Sequence, residues 1–415
     1  MRKLILSFVA LFSGIAGYSQ QFEEPKVERE SFTKVRVEVG GDFAIQYQAL
    51  NHEASNSAYP LIELGSNLNL PTANFKLNTL LAPGIKVNLE TYLSSRHHNE
   101  AWVKGGYLLI DKLPFLPASD NVMEYLTIKA GVMHPNIGDQ HFRRSDNGNI
   151  TQNAFVGNYI LDDYSTNTGV EVMFRNKGWL LLGGVNNGTL KPALATTEGT
   201  GASKKYIERN LVDELAFVWK ASYDKQISEA LRIRATLSGS HQGKSLSGSL
   251  HSGDRTGSRY YFVMNKQAGD GSEFDVTKNF TSGNWGPGSF TKDNTLVANL
   301  FVQYGGLELF GTFENATGLN TKAEDYDFVQ WAMEAIYRFG KQEQWFLGTR
   351  YNTVVNSETS PQMQVDRWQL AGGWFMTKNV VMKLEYVDQQ YKNFTATYGD
   401  KAGFKGFMLE AGISF

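Results

Sequence analysis

The final twelve residues set the pattern for the whole chain. From Phe404 to Phe415, Phe407, Leu409, Ala411, Ile413 and Phe415 fall on one face, and Met408, Glu410, Gly412 and Ser414 fall on the other. A period of two is the mark of a β-strand whose two faces meet different surroundings. The alternation recurs where Leu307, Leu309 and Phe313 are set against Glu308, Phe310, Thr312 and Glu314. It recurs again where Val329, Trp331, Met333, Ala335 and Tyr337 are set against Gln330, Glu334 and Arg338. Leu231, Ile233, Ala235 and Leu237 alternate with Arg232, Arg234, Thr236 and Ser238, and Ile85, Val87, Leu89 and Leu93 with Lys86, Asn88, Glu90 and Tyr92. Each segment is about ten residues long, which is what a tilted strand needs to cross a bilayer.

Connector lengths support the same reading. Gly305-Gly306, Asn176 to Gly178 and Ala82-Pro83-Gly84 are tight, whereas Asn51 to Thr72, Pro135 to Thr166, Gln242 to Lys292 and Tyr391 to Ala402 are long. Short periplasmic turns alternating with long outer loops are expected of an outer-membrane barrel. The pattern predicts strands near 41–50, 73–81, 85–95, 101–112, 123–134, 166–175, 179–187, 213–223, 229–241, 293–304, 306–316, 327–339, 344–355, 364–375, 380–391 and 404–415. The expected fold class is therefore all-β: a transmembrane antiparallel β-barrel of about sixteen strands. Ser258 to Met264 reads as an outer-loop hairpin. If it entered the wall with a partner, the count would be about eighteen.

Composition narrows the field. The chain has 415 residues, with 40 basic against 42 acidic side chains, so it lacks the positive surplus that nucleic acid demands. Aromatic content of 13% suits a barrel with aromatic belts at both membrane interfaces. The absence of cysteine excludes disulfides, thiol catalysis and Cys-ligated metal. Met1-Arg2-Lys3, an apolar run from Leu4 to Ala16, and small residues at Gly17 and Ser19 form a secretory signal pattern, with cleavage after Ser19 or Gln20. The expected organisation is a signal peptide over 1–19, a periplasmic segment over 20–40 and a barrel over 41–415. Within the barrel, 135–166 is a candidate constriction loop and 242–292 a long outer loop with a hairpin. The terminal Phe407, Leu409, Ile413 and Phe415 read as an assembly signal for the barrel-assembly machinery.

Sixteen strands enclose a water-filled lumen rather than a core of side chains, so the relevant chemistry is lumen electrostatics. The alternation places Lys76, Lys86, Lys104, Lys129, Arg175, Lys220, Arg232, Arg234, Arg338, Arg350, Arg367 and Lys383 inside. It also places Glu90, Glu171, Glu308, Glu314, Glu334, Glu385 and Glu410 inside. Twelve basic against seven acidic side chains imply a mild anion preference. The basic residues concentrate in the first nine strands and the acidic ones later, which would set a field across the pore. His141, Arg143 and Arg144 would face solutes if 135–166 folds inward.

Enzymatic readings find little support. His97-His98 lacks a third metal ligand nearby. No GxSxG nucleophile signature occurs. Asp270 to Asp275 lacks the spacing of a calcium loop, and Gly183-Gly184 and Gly372-Gly373 read as close packing within strands. No cofactor is expected.

Two segments resemble the phosphate-selective porin O and P superfamily in its Bacteroidetes-type form. One runs Ile128-Lys-Ala-Gly-Val-Met-His-Pro-Asn-Ile-Gly138, followed by Phe142-Arg143-Arg144 and the strand Thr168-Gly-Val-Glu-Val172. The other is Leu300-Phe-Val-Gln-Tyr-Gly-Gly-Leu-Glu-Leu-Phe-Gly311. The resemblance implies a porin barrel and a homotrimer, and assigns no solute. The expected role is passive diffusion of small hydrophilic solutes, anionic or neutral, across the cell outer membrane. Lipid and lipopolysaccharide are the expected surroundings. The competing readings are a plugged barrel acting as receptor, adhesin or structural protein, and an outer-membrane hydrolase.

Overall fold

The computed structural model describes residues 20–27, 32–94, 100–145, 149–190, 195–198, 201–203, 205–208, 214–253, 260–267 and 281–415. The signal pattern, His97-His98 and Asp270 to Asp275 lie outside the described residues. Sixteen antiparallel strands close into one barrel. They are β1 (Arg36–Ala54), β2 (Thr72–Ala82), β3 (Ile85–Ser94), β4 (Glu100–Ile110), β5 (Leu126–Met133), β6 (Asn167–Asn176), β7 (Trp179–Asn186) and β8 (Ala216–Gln226). They continue with β9 (Leu231–Gln242), β10 (Phe290–Tyr304), β11 (Leu307–Asn320), β12 (Asp325–Phe339), β13 (Trp345–Asn356), β14 (Met363–Thr377), β15 (Val380–Lys392) and β16 (Ala402–Ser414). Neighbours in sequence are neighbours in the wall. The ring closes where β1 pairs with β16, from Asp42 opposite Ser414 to Ala54 opposite Ala402. Closure removes both sheet edges and so satisfies the backbone polar groups that lipid would leave bare.

Every strand that the alternation predicts is present, with shifted ends. β1 begins at Arg36 rather than 41, because Val37 and Val39 continue its outward face and pair through β2 (Val39 opposite Leu77). The expected 20–40 segment therefore gives its last residues to the wall. Ser258 to Met264 contributes no wall strand. Its described part, Tyr260 to Met264, is a run of turns buried inside the barrel. Burial of these apolar side chains against the inner wall wins over pairing in a hairpin.

The outer face is apolar and the inner face is polar. On β12, Trp331 is 55% and Met333 71% exposed, while Gln330, Glu334 and Arg338 on the other face are buried. Trp345 of β13 stacks on Trp374 of β14 at 5.0 Å, near the short turns. Six residues further along β13, Tyr351 meets Trp368 at 4.7 Å. Six residues advance about 20 Å along a strand, so the two pairs mark two separate levels of the outer face. Phe415 ends the chain on the outer face, its backbone exchanging 3.0 Å hydrogen bonds with Gly41.

Candidate functional site

The barrel interior is divided by chain that leaves the wall and returns. After β5 the chain turns inward at Pro135, and residues 135–145 and 149–166 cross the lumen before β6. Ile137, Phe155, Val156, Tyr159, Ile160 and Leu161 are buried there. At Gly157 a Cβ would lie 1.9 Å from the Tyr260 hydroxyl, so glycine is what lets the loop and the 260–264 turns touch. Residues 20–27 also run against the inner wall, with Gln20 and Phe22 buried.

All nineteen wall residues read as inward face this interior, and most are paired. In the first strands Lys76 binds Asp42 at 2.5 Å, and Lys86 reaches Glu24 at 3.4 Å. Lys104 lies over the Tyr164 ring and Lys129 over the Tyr107 ring, while Arg175 donates to the Glu24 carbonyl at 2.7 Å. Lys220 contacts Asp139 at 2.8 Å and Glu23 at 3.2 Å. Arg234 contacts the same two, at 2.8 and 2.7 Å, and Arg232 pairs with Asp224 at 2.7 Å. Glu90 accepts from Asn74 and Glu171 from the Asn136 amide.

In the later strands the pairs run between neighbours. Arg338 binds Glu308 at 2.7 Å, Arg350 binds Glu334 at 2.8 Å and Lys383 binds Glu410 at 2.9 Å. Glu385 accepts from the Val156 amide at 2.7 Å and the Tyr260 hydroxyl at 2.6 Å. Arg367 donates to Gln389 and to the carbonyls of Asn158 and Gly283. Glu314 accepts from Gln330 at 3.0 Å.

Of the loop residues, Arg143 bridges Glu308 at 3.4 Å and Glu334 at 3.1 Å. Arg144 forms a two-pronged pair with Asp162 and lies over the Tyr164 ring. His141 packs on Phe142 and His134. Sequence reasoning missed three inward aspartates. Asp42, Asp224 and Asp293 fall at or just beyond the ends of the strands expected over 41–50, 213–223 and 293–304, where the alternation is too short to assign a face. With them, the inward wall residues named above number twelve basic and ten acidic, so the expected excess shrinks. Also missed were Glu23, Glu24 and Asp139, which no periodicity could place.

Burial works against charge on these loop acids, yet the cations facing them win. Lys220 and Arg234 hold the Asp139 carboxyl far below the usual carboxylate range, despite its burial. Glu23 and Glu24 are likewise lowered, with burial opposed by Lys220 and Arg234 in one case and by Lys129 and Lys86 in the other. The histidines go the other way. Burial pulls His134 down to about 4 and His141 well below its ordinary value, so both are neutral near neutral pH. They line a cavity of 390 Å³ with Glu24, Lys129, Glu171 and Arg175. This space can hold a small polar solute between fixed charges of both signs.

No family description and no curated protein matches this chain. Solved structures match its fold. An anion-selective porin from Comamonas acidovorans aligns with a TM-score of 0.54 at 11% identity, over 92% of this chain and 100% of that one. OprB of Pseudomonas putida aligns with a TM-score of 0.54 at 11% identity, over 92% and 94%. The outer membrane channel DcaP of Acinetobacter baumannii gives 0.51 at 11% identity, over 94% and 100%. The barrel thus has the fold of outer-membrane porins and channels.

Proposed function

We propose that this protein is an outer-membrane porin for passive diffusion of small hydrophilic solutes, with a narrow lumen and a mild anion preference. The observation that carries this reading is the wall itself: sixteen closed strands, apolar outward and charged inward, with residues 135–145 and 149–166 held across the interior. A barrel of this size exceeds what its own wall side chains fill. Fixed charge in a confined wet space concentrates counter-ions. Lys129 and Arg175 beside the 390 Å³ cavity supply the positive sites. The resemblance of Ile128 to Gly138 and of Leu300 to Gly311 favours the phosphate-selective porin O and P superfamily, and with it a homotrimer. The tight turns would face the periplasm, and Phe407, Leu409, Ile413 and Phe415 would guide assembly. The leader expected over 1–19 would direct export.

Reconstitution in a planar bilayer under a salt gradient tests the proposal. Discrete current steps with a reversal potential of anion sign are expected. A cation-selective current would overturn the anion preference. A second reading, a plugged barrel working through its outer loops, draws support from the packing of 20–27, 135–145, 149–166 and 260–264 inside the wall. A folded barrel that inserts and never conducts would decide for it.

A further inference from the structure

Toward the loop end of the lumen, side chains from four parts of the chain converge. Asp163 closes the inward loop, His251 comes from the segment after β9, Asp293 from β10 and Glu314 from β11. All four are buried. The His251 ring faces Asp163 Oδ1 through Nδ1 at 2.6 Å and Asp293 Oδ1 through Nε2 at 2.9 Å. With a carboxylate oxygen at each nitrogen, the ring serves as a donor on both sides. Asp293 is fully satisfied, since the Tyr326 hydroxyl donates to Oδ1 at 2.7 Å and the Thr295 hydroxyl to Oδ2 at 2.9 Å.

Asp163 and Glu314 are each satisfied on one oxygen only. Asp163 Oδ1 accepts from His251, and Glu314 Oε2 accepts from Gln330 Nε2. Asp163 Oδ2 and Glu314 Oε1 are buried and accept nothing. A carboxylate oxygen from each residue and a ring nitrogen of His251 lie within 4.8 Å of one another. Among the described residues, no lysine or arginine pairs with Asp163, Asp293 or Glu314. Two buried carboxyl oxygens with no donor are costly unless a proton or a cation lies between them.

We propose that Asp163 and Glu314 bind a divalent cation of the calcium class through Asp163 Oδ2 and Glu314 Oε1. His251 is the positioning residue, holding Asp163 by its other oxygen. The one nitrogen donor nearby is engaged on both sides, so the free ligands are hard oxygens. Calcium accepts few protein oxygens in irregular geometry when water completes the shell, whereas magnesium demands a regular octahedron. A cavity of 340 Å³, lined by Leu161, Asp162, His251 and Trp285 among others, reaches the cluster at His251 and would give water and the cation their approach. The bound cation would tie the inward loop to wall strand β11. The inference does not depend on whether the barrel conducts.

The test uses the full chain refolded into detergent free of lipopolysaccharide, stripped with chelator and titrated with Ca²⁺. Wild type should retain about one Ca²⁺ per chain after desalting, and its unfolding midpoint should rise with Ca²⁺. Asp163→Asn and Glu314→Gln should lose both effects, while Glu358→Gln, on an exposed loop, should keep them. If the lumen variants fail to fold, wild type alone still decides. Terbium emission excited through tyrosine, with Tyr326 one hydrogen bond from Asp293, should appear and be displaced by Ca²⁺. The proposal is overturned if wild type shows no retained Ca²⁺ and no Ca²⁺-dependent stabilisation, or if Glu314→Gln responds as wild type does. A response to Zn²⁺ without one to Ca²⁺ would move ligation onto His251 and also overturn it. So would a Glu314→Gln variant that is more stable in chelator while wild type ignores Ca²⁺, since that marks a shared proton.

Discussion

Between β2 and β9 the inner wall carries eight of its twelve basic side chains, and between β11 and β16 it carries five of the seven inward glutamates. The two halves are neutralised in different ways. The acidic half is paired largely within the wall, through Arg338 with Glu308, Arg350 with Glu334 and Lys383 with Glu410, each across adjacent strands. The basic half is paired largely from inside the lumen. Lys220 and Arg234 converge on Asp139 and Glu23, and Lys86 and Arg175 on Glu24. Cross-strand pairs persist as long as the sheet does. Pairs to luminal chain persist only while that chain stays put. Charge segregation around the wall, which by itself would set a transverse field, thus becomes a means of docking luminal segments of complementary sign. Arg143 shows the converse, reaching from the loop to Glu308 and Glu334 on the acidic side.

The comparison breaks most sharply at Asp139. Asp139→Asn leaves Lys220 and Arg234 buried with Glu23 as their one remaining shared carboxylate, and removing one partner of a buried ion pair costs about 3–5 kcal/mol. The urea unfolding midpoint should drop accordingly and single-channel conductance should rise as the loop loosens. An unchanged midpoint would show that the loop does not hold the basic half. Next in size is the double variant Glu23→Gln with Glu24→Gln. It should raise the anion-to-cation permeability ratio by about tenfold, the low end of what fixed charge in a confined cleft produces. Reversal potentials measure this directly, and a shift toward cations would reverse the assignment.

Arg143→Gln sharpens the other side. Glu308 and Glu334 keep Arg338 and Arg350, so the loss should be only about 1–2 kcal/mol. Selectivity should shift slightly toward cations, opposite in sign to the Glu23 and Glu24 variants. The smallest effect concerns pH. His134 has its folded value pulled by burial to about 4, from 6.5. The unfolded chain therefore binds more protons than the folded one between these values. Its contribution to stability falls as pH drops from 6.5 toward 4 and levels off below. Asp139, Glu23 and Glu24 act in the same direction at lower pH, because their folded values lie below the ordinary carboxylate range. The unfolding midpoint of wild type should therefore fall more steeply below pH 6.5 than that of a His134→Gln variant. The permeability ratio should stay flat from pH 8 to about 5, since His134 remains neutral there. Equal pH dependence in wild type and His134→Gln would contradict the burial of His134.

The sequence by itself determined the wall. A period of two over strand after strand separates the face that meets lipid from the face that meets water, and each residue's side follows from its neighbours alone. Sixteen strands, the tight and long connectors and the inward orientation of residues such as Arg350 and Glu385 all come from that local rule. Tertiary structure decided what fills the lumen and what the inward charges touch. Residues 20–27, 135–145, 149–166 and 260–264 carry no repeating pattern, and their positions depend on ion pairs and packing between groups as far apart in sequence as Glu23 and Arg234. Asp163, His251 and Glu314 likewise meet only because the closed barrel brings two loops against one strand. Local periodicity holds no information about such long-range encounters.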